Sequence, residues 1–244
     1  MAQNYFAMCF PGCETALAKE LRSLGAKVTE QDTGGVAFRA SKRQFYTCLL
    51  GTRFAHRILW RVDRFRTNDL FSLFRKTKRL SWKDWLPSDA QLDLHVALHQ
   101  SRLRSRDAVQ RTITEAIESA LGQRNLQSPT TDRPQTEDDK SQTTDKPKIT
   151  NDPKTTQAST FGIWVRVQER ECTLSLDAVG PRALYMRGWR AAPGRAPLRE
   201  SAAALILHSL GWQPGIPLLD PMCGAGTFLL EAASIQQQVL PRPK

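Results

Sequence analysis

A chain of 244 residues with 40% hydrophobic residues is long enough for one large or two small domains with real cores. Its formal net charge of +11 favours a polyanionic partner, although charge alone does not separate RNA from DNA or anionic lipid. No apolar run approaches the ~20 residues of a membrane helix, no signal peptide is recognisable, and five scattered cysteines disfavour a disulfide framework. We therefore expect a cytoplasmic protein outside the membrane.

The first 66 residues show six elements with the hydrophobic spacing of strands and helices. The pattern predicts a strand over 5–9, a helix over 13–24 that Gly25 ends, and strands over 27–31 and 35–40. A helix capped by Ser41 and a strand over 57–65 complete the series. The order strand, helix, strand, strand, helix, strand is that of a ferredoxin-like unit.

A second group of elements covers residues 67–178. Asn68 or Asp69 is expected to cap a helix, a strand follows over 91–99, and Ser105 caps a helix that runs to Leu121. Residues 128–160 are mostly Thr, Asp, Lys, Pro, Gln and Ser, a composition that cannot offset its ordering entropy, so we predict a flexible insertion. Strands over 161–168 and 171–176 then add to the sheet begun before it.

The sequence does not predict a metal site. His95 and His99 are four residues apart on a predicted strand, a separation of roughly 13 Å that is too large for one ion. Cys9 and Cys13 lack a second pair of ligands. We expect the two histidines to be partly buried polar groups or donors that face a nucleic acid.

The stretch from Leu218 to Thr227 predicts a ligand-binding turn. A short apolar strand over 217–220 ends in an acid, and a helix is expected over 228–233. Gly224 and Gly226 let the backbone turn sharply and approach a ligand, while the helix start presents free N–H groups. A dinucleotide site is disfavoured because Leu229 stands where the third glycine of that motif would be.

The string from Asp220 to Thr227 resembles motif I of the class I, Rossmann-like S-adenosylmethionine-dependent methyltransferases, in the form seen in nucleic-acid amino methyltransferases. The resemblance implies S-adenosyl-L-methionine as cofactor. It assigns cofactor contacts to the motif residues Asp220, Pro221, Cys223, Gly224, Ala225, Gly226 and Thr227. Thr227 is also expected to cap the following helix.

The whole chain resembles the N-terminal part of the bacterial THUMP-domain 23S rRNA guanine-N2-methyltransferases. The segments 13–17, 34–38, 187–200 and 211–215 carry this likeness together with motif I. It implies an α/β fold with α+β units: a ferredoxin-like domain over 1–66, a THUMP RNA-binding domain over 67–178, and over 179–244 a linker and the beginning of a Rossmann-like methyltransferase domain. The implied partner is RNA, and large-subunit rRNA is the favoured candidate.

One departure from that family is clear. Its enzymes carry an Asn/Asp-Pro-Pro-aromatic motif that holds the target amine, and no such string occurs in this sequence. We therefore expect no catalytic residue among these 244, and we expect the polypeptide alone to be an inactive, truncated enzyme. Two alternatives stay open: a THUMP tRNA guanine-N2-methyltransferase, and a stand-alone RNA-binding module with an incomplete cofactor site.

Basic residues predict where RNA binds. Ten cations between residues 53 and 83 are set against only Asp63 and Asp69, with Phe65, Trp82 and Trp85 interleaved for base stacking. Trp60, Trp164 and Trp212 are expected in the core. The residues assigned to RNA contact are Arg75, Lys76, Lys78, Arg79 and Lys83, with a second patch of Arg102, Arg104 and Arg106 at a helix start. Arg199 and Glu200 are expected either near the cofactor or at a solvated helix start.

Overall fold

The computed structural model describes residues 2–122, 160–189 and 198–241. Within these ranges the chain forms seven strands, six α-helices and one short 3-10 turn. The predicted insertion 128–160 lies outside the described residues except for Thr160, which begins a strand rather than ending the insertion. None of the described helices is both long enough and apolar enough to cross a membrane.

The first six elements form the predicted ferredoxin-like unit. Their strands lie in the order β2-β3-β1-β4 and every neighbouring pair is antiparallel. Ser41 caps α2 as predicted, in a reciprocal pair of hydrogen bonds with Gln44. The elements are β1 Gln3–Met8, α1 Glu14–Ser23, β2 Lys27–Asp32, β3 Gly35–Ala40, α2 Lys42–Gly51 and β4 Arg57–Arg66.

The next elements extend the same sheet. Asp69, not Asn68, caps α3, because its carboxylate accepts the Ser72 N–H at 2.7 Å. The elements are α3 Leu70–Lys78, the 3-10 turn Trp82–Asp84, β5 Gln91–His99, α4 Arg106–Leu121, β6 Thr160–Gln168 and β7 Glu171–Asp177. β5 and β6 pair in parallel, and β6 forms a hairpin with β7. The strands after residue 160 therefore join the sheet begun before it, as predicted.

One sheet unites the two groups of elements. β4 pairs antiparallel with β7, which gives the seven-stranded order β2-β3-β1-β4-β7-β6-β5. The sheet thus crosses the predicted boundary between residues 66 and 67. A bulge lies on β4 between Arg61 and Asp63. The indole of Trp60 packs against both large core clusters and joins them.

The two large clusters lie on the same face of the sheet. Ile58, in the first cluster, and Trp60 alternate along β4 with Leu59 and Arg61, which point to the opposite face. Helices α1, α2 and α5 contribute to the first cluster, and α3 and α4 to the second. Among the residues that the structure describes, the opposite face carries a small apolar group around Phe6, Ala37 and Leu59.

The last two helices are α5 Glu200–Ser209 and α6 Thr227–Gln236, which pack against each other. The predicted strand over 217–220 is wrong: this segment is irregular, and the side chain of Leu219 is 86% exposed. A strand requires a hydrogen-bonded neighbour. None of the described strands pairs with it.

Candidate functional site

The predicted cofactor turn is an exposed loop that ends at the start of α6. Gly224 and Gly226 both lie in the left-handed region, at φ 51° and 70°. The Gly226 N–H donates to the Cys223 carbonyl at 2.7 Å, and the Asp220 carboxylate accepts the Met222 N–H at 3.1 Å. A Cβ on Gly226 would meet nothing within 4 Å, so backbone conformation rather than crowding requires glycine there.

The other predicted residues of the turn are placed as follows. Pro221, Cys223 and Ala225 are exposed on the loop, and Cys223 is a free thiol. The prediction that Thr227 caps α6 is wrong. Gly226 occupies the cap position and provides no side-chain acceptor, while Thr227 is the first helical residue and is buried. The first N–H groups of α6 therefore have no side-chain cap, which leaves them free to meet a ligand.

Behind the turn, α6 is anchored by buried charges. Glu231 is fully buried, and its carboxylate binds the Arg53 guanidinium at 2.9 Å. Arg53 also donates to the Ser234 hydroxyl at 2.7 Å and to the Val239 carbonyl at 2.5 Å. The Arg187 Nε lies 3.7 Å from the other carboxylate oxygen of Glu231. Burial lowers the pKa of Arg187 and Glu231 opposes that shift.

A second carboxylate holds the loop that carries Arg53. Glu20 on α1 accepts from the Thr52 hydroxyl at 2.6 Å, the Arg53 N–H at 2.7 Å and the Phe54 N–H at 3.3 Å. Burial raises the pKa of Glu20, while these three hydrogen bonds act in the opposite direction. A chain of contacts therefore runs from α1 through residues 52–54 to α6 and the cofactor turn.

The start of α5 is only partly solvated, since Arg199 is exposed and the next residue is not. Glu200 is buried at 9% exposure, which contradicts that expectation. The neighbouring Arg199 guanidinium lies 5.0 Å from the ring centre of Tyr185 and 6.0 Å from that of Phe10. Tyr185 in turn meets the imidazole of His56 edge-on, at 6.1 Å between ring centres.

The main predicted RNA patch lies at the end of α3. Arg75, Lys78 and Arg79 are exposed there, and Lys83 is exposed on the 3-10 turn. Lys76 is half-buried: its ammonium donates to the Arg66 carbonyl at 2.5 Å and lies over the Phe65 ring. Four cations of the patch thus face solvent, and Lys76 has a partner within the fold.

Of the three aromatic residues expected to stack with bases, the prediction is wrong for Trp82. Trp82 is 1% exposed and its indole N–H donates to the Thr77 carbonyl at 2.7 Å. Trp85 is half-buried and packs edge-on against both Trp82 and Trp60, and Phe65 is half-buried beneath the Lys76 ammonium. Of the core tryptophans expected, Trp60 packs against both clusters and Trp164 against the small apolar group, while Trp212 is half-buried.

Three of the ten cations counted between residues 53 and 83 are neutralised by distant carboxylates. Besides Arg53, these are Arg57, which pairs with Asp177, and Arg64, which pairs with Glu171. Their partners are 107 to 178 residues away in sequence, so a count of local acids missed them. The basic surface is smaller than the sequence indicates.

The second predicted patch is exposed. Arg102, Arg104 and Arg106 all face solvent around the start of α4, where the buried side chain of Leu103 anchors the loop. The Ser105 hydroxyl caps α4 by accepting the Ala108 N–H at 3.2 Å.

Among the described residues there is no group of three side chains that could together bind a metal ion. The imidazole of His95 lies 3.2 Å from the carboxylate of Asp93.

Two family sequence patterns match this chain. The RMKL-like methyltransferase domain matches residues 187–244, and the RlmL ferredoxin-like domain matches residues 4–59. Two segments of the chain are thus similar to these two domains. The RlmL ferredoxin-like match coincides with the unit from β1 to β4, and the RMKL-like match contains the cofactor turn and α6.

Relatives and solved structures agree with this assignment. The ribosomal RNA large subunit methyltransferase K/L of Photobacterium profundum is 30% identical over 238 residues, which are 98% of this chain and 30% of that protein. A predicted N6-adenine-specific DNA methylase from Listeria monocytogenes has a TM-score of 0.78 at 27% identity, over 99% of this chain and 57% of that one. SMU.472, solved in complex with SAH, has a TM-score of 0.76 at 25% identity, over 99% and 58%.

These matches confirm the α/β fold and the resemblance to large-subunit rRNA methyltransferases. The chain spans about a third of the length of the curated relatives it matches.

The structure adds one contact between distant segments that the sequence did not reveal. Arg53, in the segment that matches the RlmL ferredoxin-like domain, binds Glu231 in the segment that matches the RMKL-like domain, and the two residues are 178 positions apart. An arginine after a helix end and a glutamate inside an apolar helix give no local signal of pairing.

Proposed function

We propose that this chain supplies the RNA-binding modules and the cofactor turn of an S-adenosylmethionine-dependent methyltransferase that modifies guanine N2 of large-subunit rRNA. The observation that carries the proposal is the 30% identity to ribosomal RNA large subunit methyltransferase K/L over 98% of the chain, which includes the whole cofactor turn. An rRNA substrate implies a cytoplasmic location.

The geometry of the turn supports S-adenosylmethionine as cofactor. Gly224 and Gly226 present backbone without a Cβ on an exposed loop, and α6 begins with uncapped N–H groups. Asp220 lies at the start of that loop and offers a carboxylate for a polar group of the cofactor. When bound, the cofactor supplies an activated methyl group, so the protein has only to align it with the target amine and exclude water.

We also infer that the 244-residue polypeptide binds the cofactor weakly and transfers no methyl group by itself. Residues 217–220 lead into the turn without any strand beside them among the described residues, and Leu219 and Met222 are 86% and 88% exposed. A turn that no sheet holds in place is poorly preorganised for binding. Robust methyl transfer by this polypeptide alone would contradict the inference.

The test is methyl transfer by the complete gene product from labelled S-adenosylmethionine to unmodified large-subunit rRNA. Nucleoside analysis should find N2-methylguanosine. Label in N6-methyladenosine, or in DNA rather than RNA, would contradict the proposed substrate.

Gly226→Ala gives a sharp variant, and Gly122→Ala is its matched control. Both glycines have left-handed φ, 70° and 80°, and neither would place a Cβ within 4 Å of another atom in the part of the chain that the structure describes. The backbone strain is therefore similar and only the location differs. In the complete gene product, we expect Gly226→Ala to weaken cofactor binding by at least tenfold and Gly122→Ala to leave it unchanged. Equal effects of the two substitutions would contradict a cofactor role for the turn.

A further inference from the structure

One face of the sheet is not covered by the described helices. The two large core clusters, to which α1–α5 contribute, are both on the other face. On the open face lie two cavities of about 930 and 840 Å³. They are continuous, because both are lined by the same five residues: Asp32, Arg61, Arg166, Gln168 and Thr173. The result is one long groove across β2, β4, β6 and β7.

Five arginines and four carboxylates line this groove. Arg64 binds Glu171 at 2.7 Å and Arg166 binds Asp32 at 2.7 Å, which fixes the direction of two guanidinium groups. The other three arginines have no carboxylate within ion-pair distance among the described residues. These are Arg61, Arg66 and Arg170. We call the surface formed by these five arginines, together with the half-buried Trp164, the arginine face.

Aromatic rings lie on the same face. The Arg61 guanidinium lies 4.6 Å from the ring centre of Phe6, and the imidazole of His95 lies 4.4 Å from the ring of Trp164 at an angle of 31°. Gly35 makes room for Phe6, since a Cβ there would come within 2.5 Å of that ring. Planar groups are therefore already layered on the open face, in the manner in which bases stack on protein rings.

Two buried donors on this face are unsatisfied. The indole N–H of Trp164 and the Nε–H of Arg166 have no hydrogen-bond partner among the described residues. Buried donors are seldom left without an acceptor. Both belong to β6 and alternate with the core residues of that strand, so they line the open groove.

We propose that the arginine face binds a single-stranded segment of the RNA substrate. This inference rests on the proposed function, since it names the surface that meets the RNA. Unpaired bases stack on aromatic rings, phosphates pair with arginine, and carboxylates accept from the exocyclic amino groups of bases. Glu30 and Glu169 in the groove are available for that last contact.

A duplex is a poorer fit for the arginine face than a single strand. Duplex RNA is contacted chiefly through its phosphates and ribose hydroxyls, so the ring of Trp164 would have no base to stack on. The exposed cations of α3 have a different character, because Trp82 below them is buried and Trp85 is only half-buried against it. The two surfaces thus bind different parts of the RNA: the cations of α3 contact phosphates, and the arginine face contacts bases.

The experiment measures binding of the 244-residue protein to a fluorescent single-stranded RNA oligonucleotide and to an RNA duplex, by anisotropy over a range of salt concentrations. The first variant combines Arg66→Glu and Arg170→Glu, both exposed and without ion-pair partners. The control combines Lys19→Glu and Arg22→Glu, which make the same charge change on exposed positions of α1. We expect the first variant to weaken single-strand binding at least tenfold and the control to weaken it less than threefold.

Stacking is tested separately at one position. We expect Trp164→Leu to weaken single-strand binding about 5- to 100-fold, because stacking contributes roughly that much per base, and Trp164→Phe to retain most of the affinity. Photo-crosslinking with thiouridine RNA gives a readout that needs no variant. We expect crosslinked peptides from β1, β4 and β6.

Each result decides between the inferences. The arginine face would be refuted as the RNA-binding surface if the double charge reversal and Trp164→Leu both left RNA binding intact and the crosslinks were confined to α3. The proposed function would not be affected by that result. No binding of any RNA by the wild type would overturn both. A change in self-association alone, measured by sedimentation, would identify a second copy of the chain as the occupant instead.

Discussion

The imidazole of His56 should make this protein sensitive to acid. His56 packs between Phe10, edge-on at 4.1 Å between ring centres, and Tyr185. Burial, reinforced by the positive charges of Arg199 and Arg187, lowers the pKa of His56 to about 4. Its Nε2 atom is buried without a hydrogen-bond partner among the described residues. The folded protein therefore keeps this ring neutral at pH values where an unfolded chain protonates it.

The sign and size of the effect follow from that pKa. A lowered histidine pKa means that the unfolded state binds the proton more tightly, so stability falls as pH decreases from about 6.5 towards about 4. The shift corresponds to at most about 3 kcal/mol of unfolding free energy across this window. At pH 7 the His56 imidazole is mostly neutral in both the folded and the unfolded protein, so none of this stability has yet been lost.

His56→Phe isolates this contribution, because a phenyl ring keeps the aromatic contacts and has no proton to bind. Urea unfolding followed by tryptophan fluorescence at pH 7, 6, 5 and 4 gives the free energy for each protein. We expect the wild type to lose about 2–3 kcal/mol more than His56→Phe between pH 7 and 4. His99→Phe, at an exposed position, is the control and should retain the wild-type slope. Parallel profiles for the wild type and His56→Phe would refute the reasoning.

Two other substitutions test contacts on which the fold depends, each by urea unfolding at pH 7. Arg53→Met leaves the buried carboxylate of Glu231 with only Arg187, at 3.7 Å, and should cost about 3 kcal/mol; a free energy within 0.5 kcal/mol of wild type would contradict the importance of the pair. Gly35→Ala places a Cβ 2.5 Å from the Phe6 ring and from a backbone oxygen of β1, and should cost about 1–3 kcal/mol. An unchanged midpoint for Gly35→Ala would show that β1 and β3 separate freely.

Local signals in the sequence were sufficient for most elements. The strand Gly35–Ala40, the strand Gln91–His99 and the helix from Ser105 to Leu121 were predicted with their observed bounds or caps, because alternation, helical spacing and capping residues all act within a few positions. The glycine turn was recognised for the same reason. Its positive φ values agree with the requirement for glycine.

Contacts between distant segments could not be predicted. The pairing of β4 with β7 depends on which strand edges meet, and nothing in the 53–83 segment reveals that Arg64 finds Glu171. The burial of Trp82 depends on α3 and α4 closing over it. The error at 217–220 has the same origin, since an apolar run becomes a strand only when a neighbour supplies its hydrogen bonds.

The position of β4 at the centre of the sheet has a consequence for biosynthesis. One edge of β4 pairs with β1, which is already made, but its other edge waits for β7. At ~5–20 residues per second, several seconds of translation pass before that partner appears. An unpaired strand edge is a template for aggregation, and charged side chains along it protect against this. β4 carries four arginines: Arg57, Arg61, Arg64 and Arg66. We expect their charges to oppose aggregation of the nascent chain through this strand edge before β7 is synthesised.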